Sequence, residues 1–147
     1  MKTILIIGAG FLQSFVIIKA KEMGYRTIAI DKNPHAIGFE FADKHDVVDI
    51  IDLNACLEFA KANEIDGVMT AATDYGVLSA SYIAQEMKLP GLDFDVARLI
   101  RNKYLVRHTL FKNMADSLSQ YYLINDMSEL EHIKDKVKFP VMIKPCD

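Results

Sequence analysis

The first thirteen residues, MKTILIIGAGFLQ, constrain the fold more than any other part of the chain. Thr3–Ile7 is an apolar run rich in β-branched residues, which predicts a buried strand. Gly8-Ala9-Gly10 allows a sharp turn because neither glycine has a Cβ atom, and the apolar spacing becomes helical from Phe11. A strand, turn and helix in this order direct backbone N–H groups and the positive end of a helix dipole towards a bound anion, commonly a phosphate or carboxylate.

The same alternation continues along the chain. Further apolar strands are predicted at residues 26–30, 46–51 and 66–70, with a helix predicted after the first, third and fourth strands. Strands that are apolar throughout and alternate with helices favour parallel pairing and burial on both faces. We therefore predict an α/β fold, a Rossmann-like doubly wound parallel sheet, with its ligand site beyond the carboxyl ends of the strands. Gly8-Ala9-Gly10 and Thr73-Asp74 both fall at that edge.

A small α+β segment is predicted to follow the sheet. Residues 93–113 have the pattern of one or two helices. Strands are predicted at 121–124 and 139–144, and Ser128 and Glu131 have the spacing of a capping box for a short helix between them. The domains we predict are 1–92, a helical linker 93–117, and a second small unit 118–147.

Composition excludes several classes of function. The chain has 147 residues, 51% of them hydrophobic and 25% charged, which suits a globular domain with a substantial core. Its net charge is −3 and its basic residues are dispersed, so we expect no nucleic-acid partner. No apolar run is long enough to span a membrane and no signal-peptide pattern is present, so a cytoplasmic location is expected. Cys56 and Cys146 have neither metal-ligand nor CxxC spacing.

One interpretation of the glycine turn is a dinucleotide site. Asp31 lies 21 residues beyond Gly10, at the end of the second strand, where a ribose-binding carboxylate is expected. Gln13 replaces the third glycine of GxGxxG, which weakens this interpretation. Two alternatives need no ligand: the glycines form only a tight turn, and Asp31 pairs with Lys32 or caps a turn.

Six segments support a second interpretation: GAGFLQ, AIDKNP, FADKHDVVDIID, IDGVMTAATD, LPGLDFDVARLIRNKYLVR and FPVMIKPCD. Their order and spacing resemble the front of the ATP-grasp ligases, a superfamily that includes biotin carboxylase, the large chain of carbamoyl-phosphate synthetase and the purine ribonucleotide ligases. The resemblance covers essentially the whole chain. It implies a pre-ATP-grasp domain followed by the beginning of the small ATP-grasp subdomain.

The resemblance also implies roles for individual residues. Gly8 and Gly10, with Gln13 close by, would line the acceptor-substrate side. Thr73 and Asp74 match a polar turn that faces the same ligand in relatives. Considered without the resemblance, Asp74 is equally well explained as the cap of the following helix.

Two lysines match positions that reach ATP phosphates in relatives. These are Lys103, in the segment RNKYLVR, and Lys144, in PVMIKP. Flexible point charges of this kind offset the repulsion between phosphates during phosphoryl transfer. The alternative for Lys103 is a solvated helix face, because Arg107 lies four residues away.

The parent activity that the resemblance implies is an ATP- and Mg²⁺-dependent ligase that activates a carboxylate as an acyl phosphate for attack by an amine or similar nucleophile. The sequence ends before the glycine-rich phosphate loop and the acidic metal ligands of such enzymes. We therefore expect no catalytic residue, metal ligand or stably bound cofactor in these 147 residues. The expected partner is a small-molecule substrate, and a homodimer is the assembly we consider. The alternatives are an NAD(P)- or nucleotide-binding module without chemistry, and a scaffold or dimerisation domain.

Overall fold

The computed structural model describes residues 1–114 and 120–146. Contacts divide the chain into a first unit, Met1–Ala97, and a second unit, Arg98–Asp147. The elements are β1 (Thr3–Ile7), α1 (Phe11–Glu22), β2 (Arg26–Asp31), β3 (Lys44–Val47), α2 (Leu53–Ala62), β4 (Gly67–Thr70), α3 (Asp74–Glu86), α4 (Phe94–Arg101), α5 (Lys103–Lys112) and α6 (Met127–Ile133), with short 3-10 helices at Ile37–Glu40 and Lys134–Lys136.

The four strands form one parallel sheet in the order β3-β2-β1-β4. The chain moves outward from β1 to β2 and β3, then returns to place β4 on the other side of β1. This reversal makes the gap between β1 and β4 the topological switch point, where doubly wound sheets bind their ligands. The predicted Rossmann-like fold is confirmed.

Alternating side chains of the central strands build two cores, one on each face of the sheet. Leu5 and Ile7 point to one face, where they pack in a cluster with residues of α2 and α3. Ile6 points to the other face and packs in a cluster with Ile17 of α1 and Phe39 of the 3-10 helix. Leu5, Ile6 and Ile7 have no solvent-exposed surface, which explains why β1 is a continuous apolar run rather than an alternating one.

The third strand begins and ends earlier than the sequence predicts, since β3 is Lys44–Val47 rather than 46–51. It starts earlier because Asp43 already pairs with Thr27 of β2 through backbone and side-chain hydrogen bonds. It ends at Val47 because a turn follows, with the Asp52 N–H donating to the Asp49 carbonyl. Asp52 then caps α2 by accepting a hydrogen bond from the Ala55 N–H at 3.0 Å.

The strands predicted at 121–124 and 139–144 are wrong, because residues 120–146 contain no regular strand. A strand needs a backbone ladder, and neither predicted segment forms one within the described residues. The Gln120 amide donates to the Lys138 carbonyl at 2.6 Å and accepts from the Lys138 N–H at 3.1 Å.

The short helix between these segments is present, but its cap is not Ser128. Asp126 is the N-cap, and its carboxylate accepts from the Glu129 N–H, while the Glu129 carboxylate accepts from the Asn125 N–H. The capping box is therefore shifted from the predicted pair. The single segment predicted at 93–113 forms two helices, α4 and α5, separated by the N-cap Asn102.

The predicted domain limits, at 92/93 and 117/118, stay predictions. Residues 115–119, where the linker was predicted to end, lie outside the described residues. Within the described part of the chain, no helix is both long and apolar enough to cross a bilayer.

Candidate functional site

The turn after β1 has the backbone conformation that the two glycines predict. Gly8 has a φ of +90°, which a residue with a side chain rarely adopts, and its N–H donates to the Ile30 carbonyl at 2.8 Å. Gly10 is the N-cap of α1, which has no side-chain capping hydrogen bond and no acidic residue in its first turn. The amino end of α1 is therefore electrostatically suited to an anion.

The turn after β4 lies beside the glycine turn, because β4 pairs with β1. Ala72 has a φ of +54°, a left-handed conformation that is uncommon for a residue with a Cβ atom. Thr73 is the N-cap of α3, without a side-chain capping bond, and the exposed Asp74 is the first helical residue. Asp74 is thus not the cap, although its position in the first turn suits the helix dipole.

Gln13 connects the two turns. It is buried, with 7% of its surface exposed, and its side-chain amide nitrogen donates a hydrogen bond to the Ala71 carbonyl. A Cβ atom at Gly8 would lie 3.5 Å from the Gln13 side chain, and one at Gly10 would lie 3.0 Å from its amide oxygen. The glutamine thus fills the space between the turns, which explains why a bulky residue occurs where a dinucleotide fold has glycine.

Two further residues let α3 approach the strands closely. The Thr70 hydroxyl donates to the Ile7 carbonyl at 2.8 Å, joining the carboxyl ends of β4 and β1. Gly76 packs directly over it, since a Cβ atom at Gly76 would collide with the Thr70 hydroxyl and lie 2.9 Å from the Thr73 methyl group. The amino end of α3 is held at the switch point by this contact.

Asp31 is bonded within the protein in a way that disfavours the dinucleotide interpretation. Its carboxylate accepts from the Ala9 N–H at 2.8 Å and from the Asn33 N–H at 2.9 Å. Two acceptor positions of the carboxylate are thus used within the protein, at the glycine turn and in the loop after β2, rather than by a ribose. Neither pairing with Lys32 nor a simple turn cap describes this arrangement fully, because the carboxylate joins β2 to the glycine turn.

The pKa values of two other groups are shifted, and both groups are structural. Burial raises the pKa of the fully buried Cys56 thiol to about 11. The pKa of Asp43 is lowered, first by its contact with Lys21 and then by the hydrogen bond from the Thr27 N–H. Neither group lies in the two turns.

The comparisons with known proteins agree with this geometry. The sequence profile of the ribonucleotide synthetase preATP-grasp domain matches residues 1–89. The chain belongs to this family. The preATP-grasp match therefore covers β1 to α3 and both turns at the switch point.

Relatives of known activity are similar over nearly the whole chain. A formate-dependent phosphoribosylglycinamide formyltransferase from Prochlorococcus marinus is 24% identical over 144 residues, 98% of this chain and 37% of its own. Phosphoribosylglycinamide synthetase from Anaerococcus prevotii has a TM-score of 0.77 and 28% identity, over 95% of this chain and 35% of its own. N5-carboxyaminoimidazole synthetase from Staphylococcus aureus, solved with ADP, has a TM-score of 0.73 at 16% identity, over 92% and 36%. This chain spans little more than a third of these relatives.

In this preATP-grasp protein, the two predicted phosphate lysines lie in the second unit. Lys103 is the first residue of α5, and its N–H donates to the Cys146 carbonyl at 2.8 Å. Cys146 is two residues beyond Lys144, and both lysines are exposed. The structure therefore brings the backbone at Lys103 close to the segment that contains Lys144. Their roles, and those of Gly8, Gly10, Gln13, Thr73 and Asp74, stay predictions.

Several residues that shape the site were missed by sequence reasoning. Gly38 is one, since its N–H donates to the Ala9 carbonyl at 2.7 Å and a Cβ atom there would be 2.7 Å from the same oxygen. Thr70, Ala72 and Gly76 are others. For Gly76 the sequence did contain an indication, because a small residue lies two positions into a helix that follows a buried strand. Nothing in the sequence around Ala72 indicates its left-handed conformation.

Proposed function

We propose that this chain forms the acceptor side, and part of the ATP side, of a ligase that activates a carboxylate as an acyl phosphate with ATP. The observation that supports this most strongly is the pair of adjacent turns at the switch point, joined by Gln13, in a preATP-grasp domain. Helices α1 and α3 both begin there, and neither has a side-chain capping hydrogen bond. An anionic group of the acceptor binds at these helix ends.

The names of two relatives support one class of acceptor for this chain. Phosphoribosylglycinamide is in the names of two similar enzymes, and a phosphorylated small molecule suits the two helix ends. The location is cytoplasmic, as for an enzyme of small-molecule metabolism.

For ATP, the described residues supply phosphate contacts rather than a complete site. Lys103 and Lys144 are exposed cations in neighbouring segments, which suits the phosphates. Mg²⁺, when bound in such ligases, offsets charge on the transferring phosphoryl group. Within 1–114 and 120–146 no three His, Cys, Asp or Glu side chains are grouped as metal ligands. These residues do not fit the metal, so no catalytic step is assigned to them.

The lysine assignment is tested by titrating the isotope-labelled chain with ATP and recording amide chemical shifts. We expect weak binding, with shifts near Lys103 and at residues 144–146, and loss of those shifts in Lys144→Ala. Lys134→Ala is the matched control, because Lys134 is an exposed lysine of the same unit, paired with Glu131. Unchanged shifts in Lys144→Ala, or no response to ATP in the unaltered chain, would contradict the assignment.

A further inference from the structure

The glycine turn is held by the loop that follows β2, because both backbone groups of Ala9 are bonded to that loop. The Ala9 N–H donates to the Asp31 carboxylate at 2.8 Å, and the Ala9 carbonyl accepts from the Gly38 N–H at 2.7 Å. The second oxygen of the Asp31 carboxylate accepts from the Asn33 N–H at 2.9 Å. The loop therefore contacts the turn at two points, and the carboxylate is itself fixed to the loop.

These two bonds determine the direction of the next N–H group in the turn. The peptide bond between Ala9 and Gly10 is planar and trans, so its C=O and its N–H point in opposite directions. Because the C=O points towards Gly38, the Gly10 N–H points away from the loop after β2. The N–H groups of Gly8 and Ala9 are used within the protein. Gly10 is therefore the first residue of the turn that can present its N–H to an anion at the amino end of α1.

Only a carboxylate can make both bonds of Asp31. An Asn side chain has a similar shape, but it has one acceptor oxygen and an NH2 group. It could accept from the Ala9 N–H or from the Asn33 N–H, while the other N–H would face a second donor. A negative charge disfavours a bound anion at any distance, so the charge of Asp31 and its geometric effect act on anion binding in opposite directions.

We propose that Asp31 is a positioning residue for the anion site. By holding the Ala9 N–H, while Gly38 holds the Ala9 carbonyl, it keeps the Gly10 N–H in the direction in which an anion accepts it. The inference rests on the proposed function, which places the acceptor's anion at the amino ends of α1 and α3. Asp31 itself touches no ligand in this role.

The test is a titration of the isotope-labelled chain with inorganic phosphate, followed at the Gly10 amide signal. In Asp31→Asn the apparent dissociation constant should rise about fivefold, as expected if about one molecule in five keeps the binding conformation of the turn. Loss of the negative charge would by itself lower that constant. The sign of the change therefore separates positioning from electrostatics.

Gly38→Ala tests the same contact from the other side without a change of charge. Its Cβ atom would be 2.7 Å from the Ala9 carbonyl oxygen, so the loop must shift and the bond from the Gly38 N–H is weakened. The apparent dissociation constant for phosphate should again rise.

Asp66→Asn is the matched control for Asp31→Asn. Asp66 lies at the other end of β1, where its carboxylate accepts from the Thr3 N–H at 2.7 Å. Its replacement removes the same charge and alters the same kind of bond on the same strand. It should lower the urea midpoint of unfolding without raising the dissociation constant for phosphate, whereas a merely structural role for Asp31 predicts that the two variants behave alike in both measurements.

Other results would overturn the role of Asp31. If folded Asp31→Asn binds phosphate as tightly as the unaltered chain, or more tightly, the positioning role is refuted and the proposed function survives. Equal weakening in Asp66→Asn refutes it too. If Asp31→Asn does not fold, Gly38→Ala decides, since unchanged affinity in that variant refutes the role. If phosphate shifts neither turn of the unaltered chain, the proposed function fails and the inference fails with it.

Discussion

The two units differ in how their residues are buried. The first unit, Met1–Ala97, contains every residue that the structure describes as buried, and two clusters cover the faces of its sheet. In the second unit, none of the described residues is buried, and its contacts include hydrogen bonds, the ion pair of Glu131 with Lys134, and aromatic pairs such as Tyr104 with Tyr121. The first unit therefore has its own hydrophobic driving force for folding, and the second unit has little.

This difference matters for the proposed site. The proposed acceptor residues lie on turns held by a packed sheet, so we expect them to be preorganised before a ligand arrives. The lysines proposed to contact phosphate are exposed side chains of a unit whose described residues include none that is buried. We expect the acceptor side to be rigid and the ATP side to gain order from its ligand.

The largest expected difference between the units is in the cost of shortening one apolar side chain in each. Ile28 is fully buried in β2, whereas Leu105 on α5 is 44% exposed. Ile28→Ala should lower the free energy of unfolding of the first unit by about 2–5 kcal/mol, because it removes transfer energy and leaves a cavity. Leu105→Ala should change stability by about 0.5 kcal/mol or less. Urea unfolding followed by circular dichroism measures both. Equal costs would contradict the assignment of the core to one unit.

A smaller test compares charged pairs. The Asp43 carboxylate in the first unit contacts Lys21 at 2.8 Å and accepts hydrogen bonds from the Thr27 N–H and hydroxyl. Glu131 in the second unit forms an ion pair with Lys134, and both side chains are well exposed. Asp43→Asn should cost about 1 kcal/mol at pH 7, since hydrogen bonds to a charged group are lost or weakened. Glu131→Gln should cost about 0.3 kcal/mol or less.

The effect of Asp43 should depend on pH with a defined sign. Because its pKa is lowered in the folded chain from the ordinary value of 3.8, its stabilisation is fully present above that value. The stabilisation is lost as pH falls through the lowered, folded-state pKa. Unfolding free energies of the unaltered and Asp43→Asn chains should therefore converge as the pH is lowered from about 4 through that folded-state pKa. A difference that stays constant across this range would show that the carboxylate acts through shape rather than charge.

Features encoded locally were predicted from the sequence, and features that depend on distant contacts were not. The run at Thr3–Ile7 and the glycines after it determine their own conformation, so β1 and its turn were predicted correctly. The bond from Gln13 to Ala71 joins residues 58 apart in sequence, and the Asp31 bond to Ala9 joins residues 22 apart. No local pattern contains such information.

The wrong strands have the same explanation. Residues 121–124 and 139–144 have strand propensity, but a strand forms only with a partner whose backbone completes the ladder. Within the described residues neither segment forms such a ladder, so strand propensity alone did not produce a strand.

We propose that the two turns form one anion site joined by Gln13. The most direct measurement is a titration of the labelled chain with inorganic phosphate, first unaltered and then as Gln13→Ala. We expect Gly10 and Thr73 to respond with one common midpoint, and Gln13→Ala to weaken binding about fivefold, because the Ala71 carbonyl loses its donor. Retained amide protection in β1 confirms folding of the variant. Separate midpoints for the two turns, or unchanged affinity in the folded variant, would contradict the claim.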